Sequence, residues 1–272
     1  MELISGQIFD KIYRLSESSN SPMKPHLAAV LSLALLTNLL YAADPSPSAD
    51  GVPAAFEKDS VILFQGDSIT DGNRGRGADP NHILGHGYAF IIAAKYGAAF
   101  PEQNLNFMNR GISGNRVTDL QKRWQTDTLD LKPDLLSILI GVNDNSGVPF
   151  DQYEQIYDTL LTETKAARPQ VRLVLCEPFT LPHKKWSDPA AWESWNNGIK
   201  TRQEIVAKLA KQHEAALVKF QSAFDRACAR APAEYWIWDG VHPTYSGHQI
   251  MADEWIRAVK ERWPRYSPRG QN

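Results

Sequence analysis

Apolar positions along the chain follow two rhythms. Val61 to Phe64, Asp134 to Ile140 and Val171 to Cys176 are short, nearly continuous apolar runs, the pattern of strands buried on both faces. Asn104 to Asn109 reads as a further strand between the first two, and Ala215 to Val218 as a short fifth. Between these runs the apolar residues recur at helical spacing. One helix is predicted from Tyr88 to Tyr96, closing at Gly97, and another from Val117 to Asp130, carried by Val117, Leu120 and Trp124. A third covers Tyr153 to Arg168 and stops at Pro169, and a fourth lies around Asn197 to Gln212. The last, Ser246 to Arg262, carries Ile250, Trp255, Ile256 and Val259 and ends before Pro264. Gly72 to Gly87 is a glycine-rich loop, and Pro178, Pro182 and Pro189 mark a long loop after the fourth strand. Strands alternating with helices at this spacing predict an α/β fold, a central parallel sheet with helices on both faces. With no internal repeat and no second boundary after residue 57, one domain is expected over residues 58–265, followed by a tail at 266–272.

The N-terminal part breaks both rhythms. Met23-Lys24-Pro25-His26 is a short basic start, Leu27 to Leu36 is apolar, and Ala42-Ala43 offers small residues for cleavage. That is the plan of a secretory signal over residues 23–43. It points to a secreted or periplasmic protein, with an uncleaved N-terminal anchor as the alternative. The apolar run is short for a span and contains Asn38, so no stable membrane span is expected after cleavage. Residues 1–22 are polar and serine-rich, and translation starting at Met23 would make them a start-site artefact. Residues 44–57, with Pro45, Pro47, Gly51 and Pro53, read as a flexible lead-in.

Composition narrows the function classes. The chain has 272 residues, 43% hydrophobic and 22% charged, with a formal net charge of −2. That is enough for one well-buried core and carries no electrostatic footprint for nucleic acid. Cys176 and Cys228 lack metal-ligand spacing, and the sequence leaves open whether they pair.

The chemistry gathers where strands stop. Three of them end in short glycine-containing polar loops: Gly66-Asp67-Ser68, Gly111-Ile112-Ser113-Gly114-Asn115 and Gly141-Val142-Asn143-Asp144. Parallel strands bring such loops to one sheet edge, where ligands of open α/β sheets bind. Trp238-Asp239-Gly240-Val241-His242 supplies what a serine lacks. A hydroxyl becomes nucleophilic when an imidazole takes its proton, and a carboxylate on the other ring nitrogen fixes the tautomer. Asp239 and His242, three residues apart, are close enough for that contact. The Ser68 and Gly114 backbone N–H groups and the Asn143 amide are suited to hold a developing oxyanion.

These four blocks resemble those of the SGNH hydrolases, the GDSL esterase/lipase family. They match its Ser, Gly, Asn and His at Ser68, Gly114, Asn143 and His242, over roughly residues 58 to 262. Ile69 stands where the nickname has Leu, and Thr70 stands where a Gly-x-Ser-x-Gly elbow would need its second glycine. The resemblance implies a three-layer flavodoxin-like fold, no cofactor or metal, and ester or thioester hydrolysis through an acyl-serine, with Asp239 and His242 as its Asp-x-x-His pair. Within the family the chain resembles secreted bacterial esterases of the lysophospholipase-like and carbohydrate acetylesterase groups.

The remaining candidates are assigned lesser parts. His82 and His86, in the loop after the serine, are left outside the site for want of further ligands. His183 and His213 are expected at the surface, and His248 in packing or a hydrogen bond. Asp67, Asp71 and Asp144 are expected to hold their loops through side-chain to backbone bonds. Trp186, Trp192 and Trp195 in the long loop are either a sugar platform or seam packing. Export and the lack of a large apolar lid favour O-deacetylation of a small-molecule or polysaccharide ester. The alternative is a lysophospholipase or thioesterase on longer chains. A metal-dependent phosphoesterase and a non-catalytic glycan binder fit less well, because the strand-end loops lack clustered ligands and no triad member is missing.

Overall fold

A computed structural model describes residues 53–77 and 79–264. The start-site, signal and tail expectations for residues 1–22, 23–43 and 266–272 fall outside them. Five parallel strands form one sheet: β1 (Val61–Gly66), β2 (Asn106–Asn109), β3 (Leu135–Leu139), β4 (Arg172–Cys176) and β5 (Ala216–Val218). Their spatial order is β2-β1-β3-β4-β5, the flavodoxin-like order, whose switch point lies between β1 and β3.

Alternation of side chains splits the core into two layers. Ile62 and Phe64 of β1, Leu135 and Leu139 of β3, and Val174 and Cys176 of β4 face one layer. Leu63, Leu136, Ile138, Leu173 and Leu175 face the other. Helices α2 (Tyr88–Ala99), α6 (Phe220–Cys228) and α8 (Tyr245–Arg262) cover the first through Tyr88, Phe220 and Trp255. Helices α3 (Val117–Trp124), α4 (Phe150–Ala167) and α5 (Pro189–Gln212) cover the second through Trp124, Tyr157 and Val206. The short helices α1 (Ser68–Asp71) and α7 (Ala233–Trp236) complete the set.

Several boundaries differ from those the pattern predicts. Gly97 does not close α2, which runs to Ala99. The stretch after Trp124 is a wider π turn, Gln125–Leu129, whose Asp127 carbonyl and Thr128 Oγ1 accept from Gln65 Nε2 at 2.6 and 2.8 Å. Helix α5 begins eight residues earlier than Asn197. Pro189 is tolerated in a first helical turn, and Asp188 caps it by accepting from Ala190 N at 3.0 Å. Helices α6 and α7 have no counterpart in the predicted elements. The lead-in is not loose throughout: Ala55 and Phe56 are buried, and the Phe56 ring packs 5.0 Å from Tyr96. His213, expected at the surface, is buried beside Asp158. Both cysteines are unpaired. Among the described residues no helix is long and apolar enough to cross a membrane.

Candidate active site

The first strand ends under tight steric constraint. A Cβ on Gly66 would lie 2.4 Å from both the Leu139 carbonyl oxygen and Thr70 Oγ1, so only glycine lets β1 pass that close to β3. Asp67 then caps α1, its Oδ1 accepting from Ile69 N at 3.0 Å. Ser68 opens that helix and is half-buried, while Ile69, Thr70 and Asp71 are buried beneath it. Thr70 Oγ1 meets Tyr88 Oη at 3.1 Å, which ties the turn to α2.

The second loop is fastened to the first. Asn109, the last residue of β2, donates from Nδ2 to the Thr70 carbonyl at 2.6 Å and to that of Leu84 at 2.9 Å, while its Oδ1 accepts from Gly111 N. Asp71 accepts from Ser113 N at 2.9 Å and Arg74 N at 3.0 Å, and pairs with Arg76. Burial would raise the Asp71 carboxyl, but these partners outweigh it and hold its pKa below the ordinary value. Gly114 sits exposed at the tip with φ of +81°, a left-handed conformation that other residues adopt only with strain.

The third loop leans on the second. Asn143 Nδ2 donates to the Asn115 carbonyl at 3.1 Å, and Asp144 Oδ1 accepts from Val117 N at 2.9 Å. Beneath it the buried Arg202 donates to the carbonyls of Asp144 at 2.8 Å and Val148 at 2.6 Å, and to Asn145 Oδ1 at 2.8 Å.

The fourth loop approaches from the C-terminal side. Ser68 Oγ lies 2.8 Å from His242 Nε2, and His242 Nδ1 lies 2.7 Å from Asp239 Oδ2. Asp239 Oδ1 also accepts from Val241 N at 2.9 Å and His242 N at 2.7 Å. Trp238, 61% exposed, stacks on the His242 ring with centroids 5.6 Å apart. The Gly240 carbonyl accepts from Thr180 Oγ1 and Leu181 N, anchoring the loop to the segment after β4.

Five residues singled out by sequence are therefore brought to one sheet edge. Ser68, His242 and Asp239 form a hydrogen-bonded line, and Asn143 is bonded to the loop that carries Gly114. Among the described residues neither Gly114 nor Asn143 is hydrogen-bonded to Ser68. His248 is buried and accepts from Tyr88 N at 3.2 Å, as a packing residue should. Asp67, Asp71 and Asp144 hold their loops as expected. Asn109 and Arg202, which brace the loops from below, were not singled out. Asn109 carried one signal, a polar residue closing a strand just before a glycine loop. Among the described residues no three His, Cys, Asp or Glu side chains gather as a metal would require.

The family model of the GDSL-like lipase/acylhydrolases matches residues 64–250. This chain belongs to that family. It is a serine-type carboxylic ester hydrolase with the SGNH three-layer fold. An acetylxylan esterase from Geobacillus stearothermophilus is 34% identical over 218 residues, covering 75% of this chain and 95% of that protein. A crystal structure of such an esterase from the same organism superposes with a TM-score of 0.68 at 31% identity, covering 78% of this chain and all of that one. A protein assigned as a GDSL-like lipase from Parabacteroides merdae superposes at 0.69 with 40% identity, covering 75% of this chain and 97% of its own.

Proposed function

We propose that this SGNH hydrolase is an exported esterase that removes acetyl groups from a polysaccharide, with Ser68 as nucleophile. The observation that carries the reading is the line from Ser68 Oγ through the His242 ring to Asp239. Ser68 Oγ attacks the acetyl carbonyl carbon as His242 Nε2 takes the hydroxyl proton. Asp239 stabilises the imidazolium formed and keeps the ring's orientation. The Ser68 and Gly114 N–H groups and the Asn143 amide receive the oxyanion. Collapse of the tetrahedral species breaks the bond to the sugar oxygen, which leaves with the proton from His242. A water molecule then gives its proton to His242 as it attacks the acyl-serine. Acetate departs and the proton returns to Ser68.

Two features favour acetylated sugar. Two of the relatives, of similar length to this domain, act by name on acetylxylan. The signal-like segment at residues 23–43 would deliver the enzyme to polymers outside the cytoplasm. The test is hydrolysis of aryl acetate, butyrate and octanoate, with acetate release from acetylated xylan, by wild type and Ser68→Ala. The expected result is a Ser68-dependent rate that falls steeply with chain length, with acetate released from xylan. A rate that rises with chain length would transfer the enzyme to lysophospholipid or thioester substrates. Equal rates in both proteins would remove Ser68 from the chemistry.

A further inference from the structure

Beside the triad lies a cleft of about 670 Å³ that the chemistry above leaves unused. Its walls are aromatic: Phe150, 43% exposed at the start of α4, faces the half-exposed Trp186 and Trp195. Its rim is polar and uncharged, made by Asn197 and Thr201 of α5 together with Asn145. The two tryptophan rings lie with centroids 5.1 Å apart, tilted by 35° to each other, and Trp192 extends the array 5.9 Å from Trp186.

Construction of the walls links them to the reacting groups. Trp195 Nε1 donates to Thr180 Oγ1 at 3.2 Å, and that hydroxyl donates to the Gly240 carbonyl, next to Asp239. Trp186 closes on the same turn, its Nε1 lying 3.4 Å from where a Cβ on Gly240 would sit. On the other side Asn145, two residues past Asn143, donates to the Trp195 carbonyl at 2.9 Å. Gly198 permits this approach, because a Cβ there would meet Asn145 Oδ1 at 2.1 Å. The cleft therefore shares one wall with the His242 loop and the other with the Asn143 loop.

We infer that this cleft is a subsite for a pyranose unit of the polysaccharide, neighbouring the one that carries the ester. A pyranose ring offers apolar C–H faces to aromatic walls and equatorial hydroxyls to a rim of amides and hydroxyls. An acyl chain would find no use for the polar rim, and no charged side chain lines the cleft to fix an anionic group. Lys185, whose Nζ stands 5.1 Å from the Trp186 ring centroid, is exposed and held by a contact weak enough to give way to a ligand. The inference rests on the polysaccharide reading but concerns the alcohol side of the ester, not the acyl side.

The test is titration of wild type, Trp186→Ala and Phe150→Ala with unacetylated xylohexaose, with kcat/KM on an aryl acetate as control. Phe150 is half-exposed at a helix start, and the Arg202 guanidinium beneath its ring is held by its own bonds to Asn145, Asp144 and Val148. Phe150→Ala therefore keeps the fold even if Trp186→Ala loosens the Gly240 turn. Each variant is expected to weaken xylohexaose binding about tenfold, while Phe150→Ala keeps kcat/KM on aryl acetate within about twofold. Unchanged xylohexaose affinity in Phe150→Ala, or no binding by wild type, overturns the subsite. So does a loss in Phe150→Ala of equal size on xylohexaose and aryl acetate, the mark of a structural role alone. Acetate released from xylan without xylohexaose binding would sink the subsite and spare the deacetylase reading. Xylohexaose binding lost in Phe150→Ala, with no acetate release, would do the reverse.

Discussion

One carboxylate in the site shapes its own turn with one oxygen and meets the reacting ring with the other. Asp239 uses Oδ1 to shape its own turn, accepting from Val241 N and His242 N, and Oδ2 to face the His242 ring. Burial alone would raise its pKa. The backbone N–H and ring of His242, then Val241 N, outweigh burial, and the pKa falls below the ordinary carboxyl value. The group is thus anionic when an imidazolium forms beside it. Asp239→Asn keeps the Oδ1 bonds but offers His242 a neutral partner, and kcat is expected to fall about 10⁴-fold with little change in the urea midpoint. Less than a tenfold loss would strip Asp239 of its part. Asn143→Ala should lower kcat by about 10²–10³-fold if its amide receives the oxyanion; single-turnover acylation rates read this directly. These residues were legible because each lies in a short polar block at a strand end, and chemistry restricts what can stand there. Asn109 and Arg202 were not, since their work is to satisfy distant carbonyl groups, and nothing in the local sequence records the partner.

At the level of elements, the third loop is held from underneath rather than by its own sequence. Arg202 is 2% exposed and reaches from α5 to two carbonyls and an amide of the segment 144–148. It also lies 4.6 Å from the Phe150 ring centroid. Replacing it by Leu leaves buried acceptors without donors, and each such loss costs about 1–3 kcal/mol. Arg202→Leu is therefore expected to lower stability by about 3 kcal/mol, and to lower kcat in whatever fraction stays folded. A stability change under about 0.5 kcal/mol in a urea titration would contradict the argument. Reading α5 from sequence failed at its start for a related reason. Pro189 reads as loop punctuation, whereas Asp188 before it makes it a first-turn proline. Helix α6 escaped because Lys219 and the short strand β5 leave no loop to announce it: β5 ends at Val218 and α6 begins at Phe220. The strands were easier. β1, β3 and β4 are runs buried on both faces, β2 at the sheet edge is half-exposed, and only the strand ends moved, by one or two residues.

Across the whole molecule, buried carboxyls set an unusual pH response. Burial pushes Asp67 up to about 7, against the Ile69 N–H and with help from the charge of Asp144. Burial likewise pushes Asp144 up to about 6 and Glu177 up to about 7. Between pH 4 and 7 the unfolded chain has released these protons while the folded chain keeps them, so stability falls as pH rises through that window. His248 works the other way: burial lowers it to about 4, which adds stability as pH rises up to the ordinary histidine range. Three groups against one leave a net fall from pH 5 to 8. Asp67→Asn preserves the cap to Ile69 and removes one titrating group, so its urea midpoint should vary less steeply over that range than wild type's. An unchanged slope would show that Asp67 keeps no proton. The parallel sheet, its two covered faces and the gathering of blocks at one edge were legible from sequence, because alternation of strand and helix leaves few topologies open. What alternation cannot express is which buried side chains keep a proton in the interior.

The separation of Ser68 from His242, 174 residues along the chain, carries a consequence for timing. Asp239 and His242 bond to each other within one turn, itself anchored to the segment after β4, whereas the serine waits for its base until the sheet is built and α8 has docked. Newly made chain is chemically mute until that closure, and a fold that loosens only at α8 falls silent again while its strands persist. Ester hydrolysis is then a clock on the final docking step, expected in a refolding experiment to lag behind the spectroscopic signals of sheet formation.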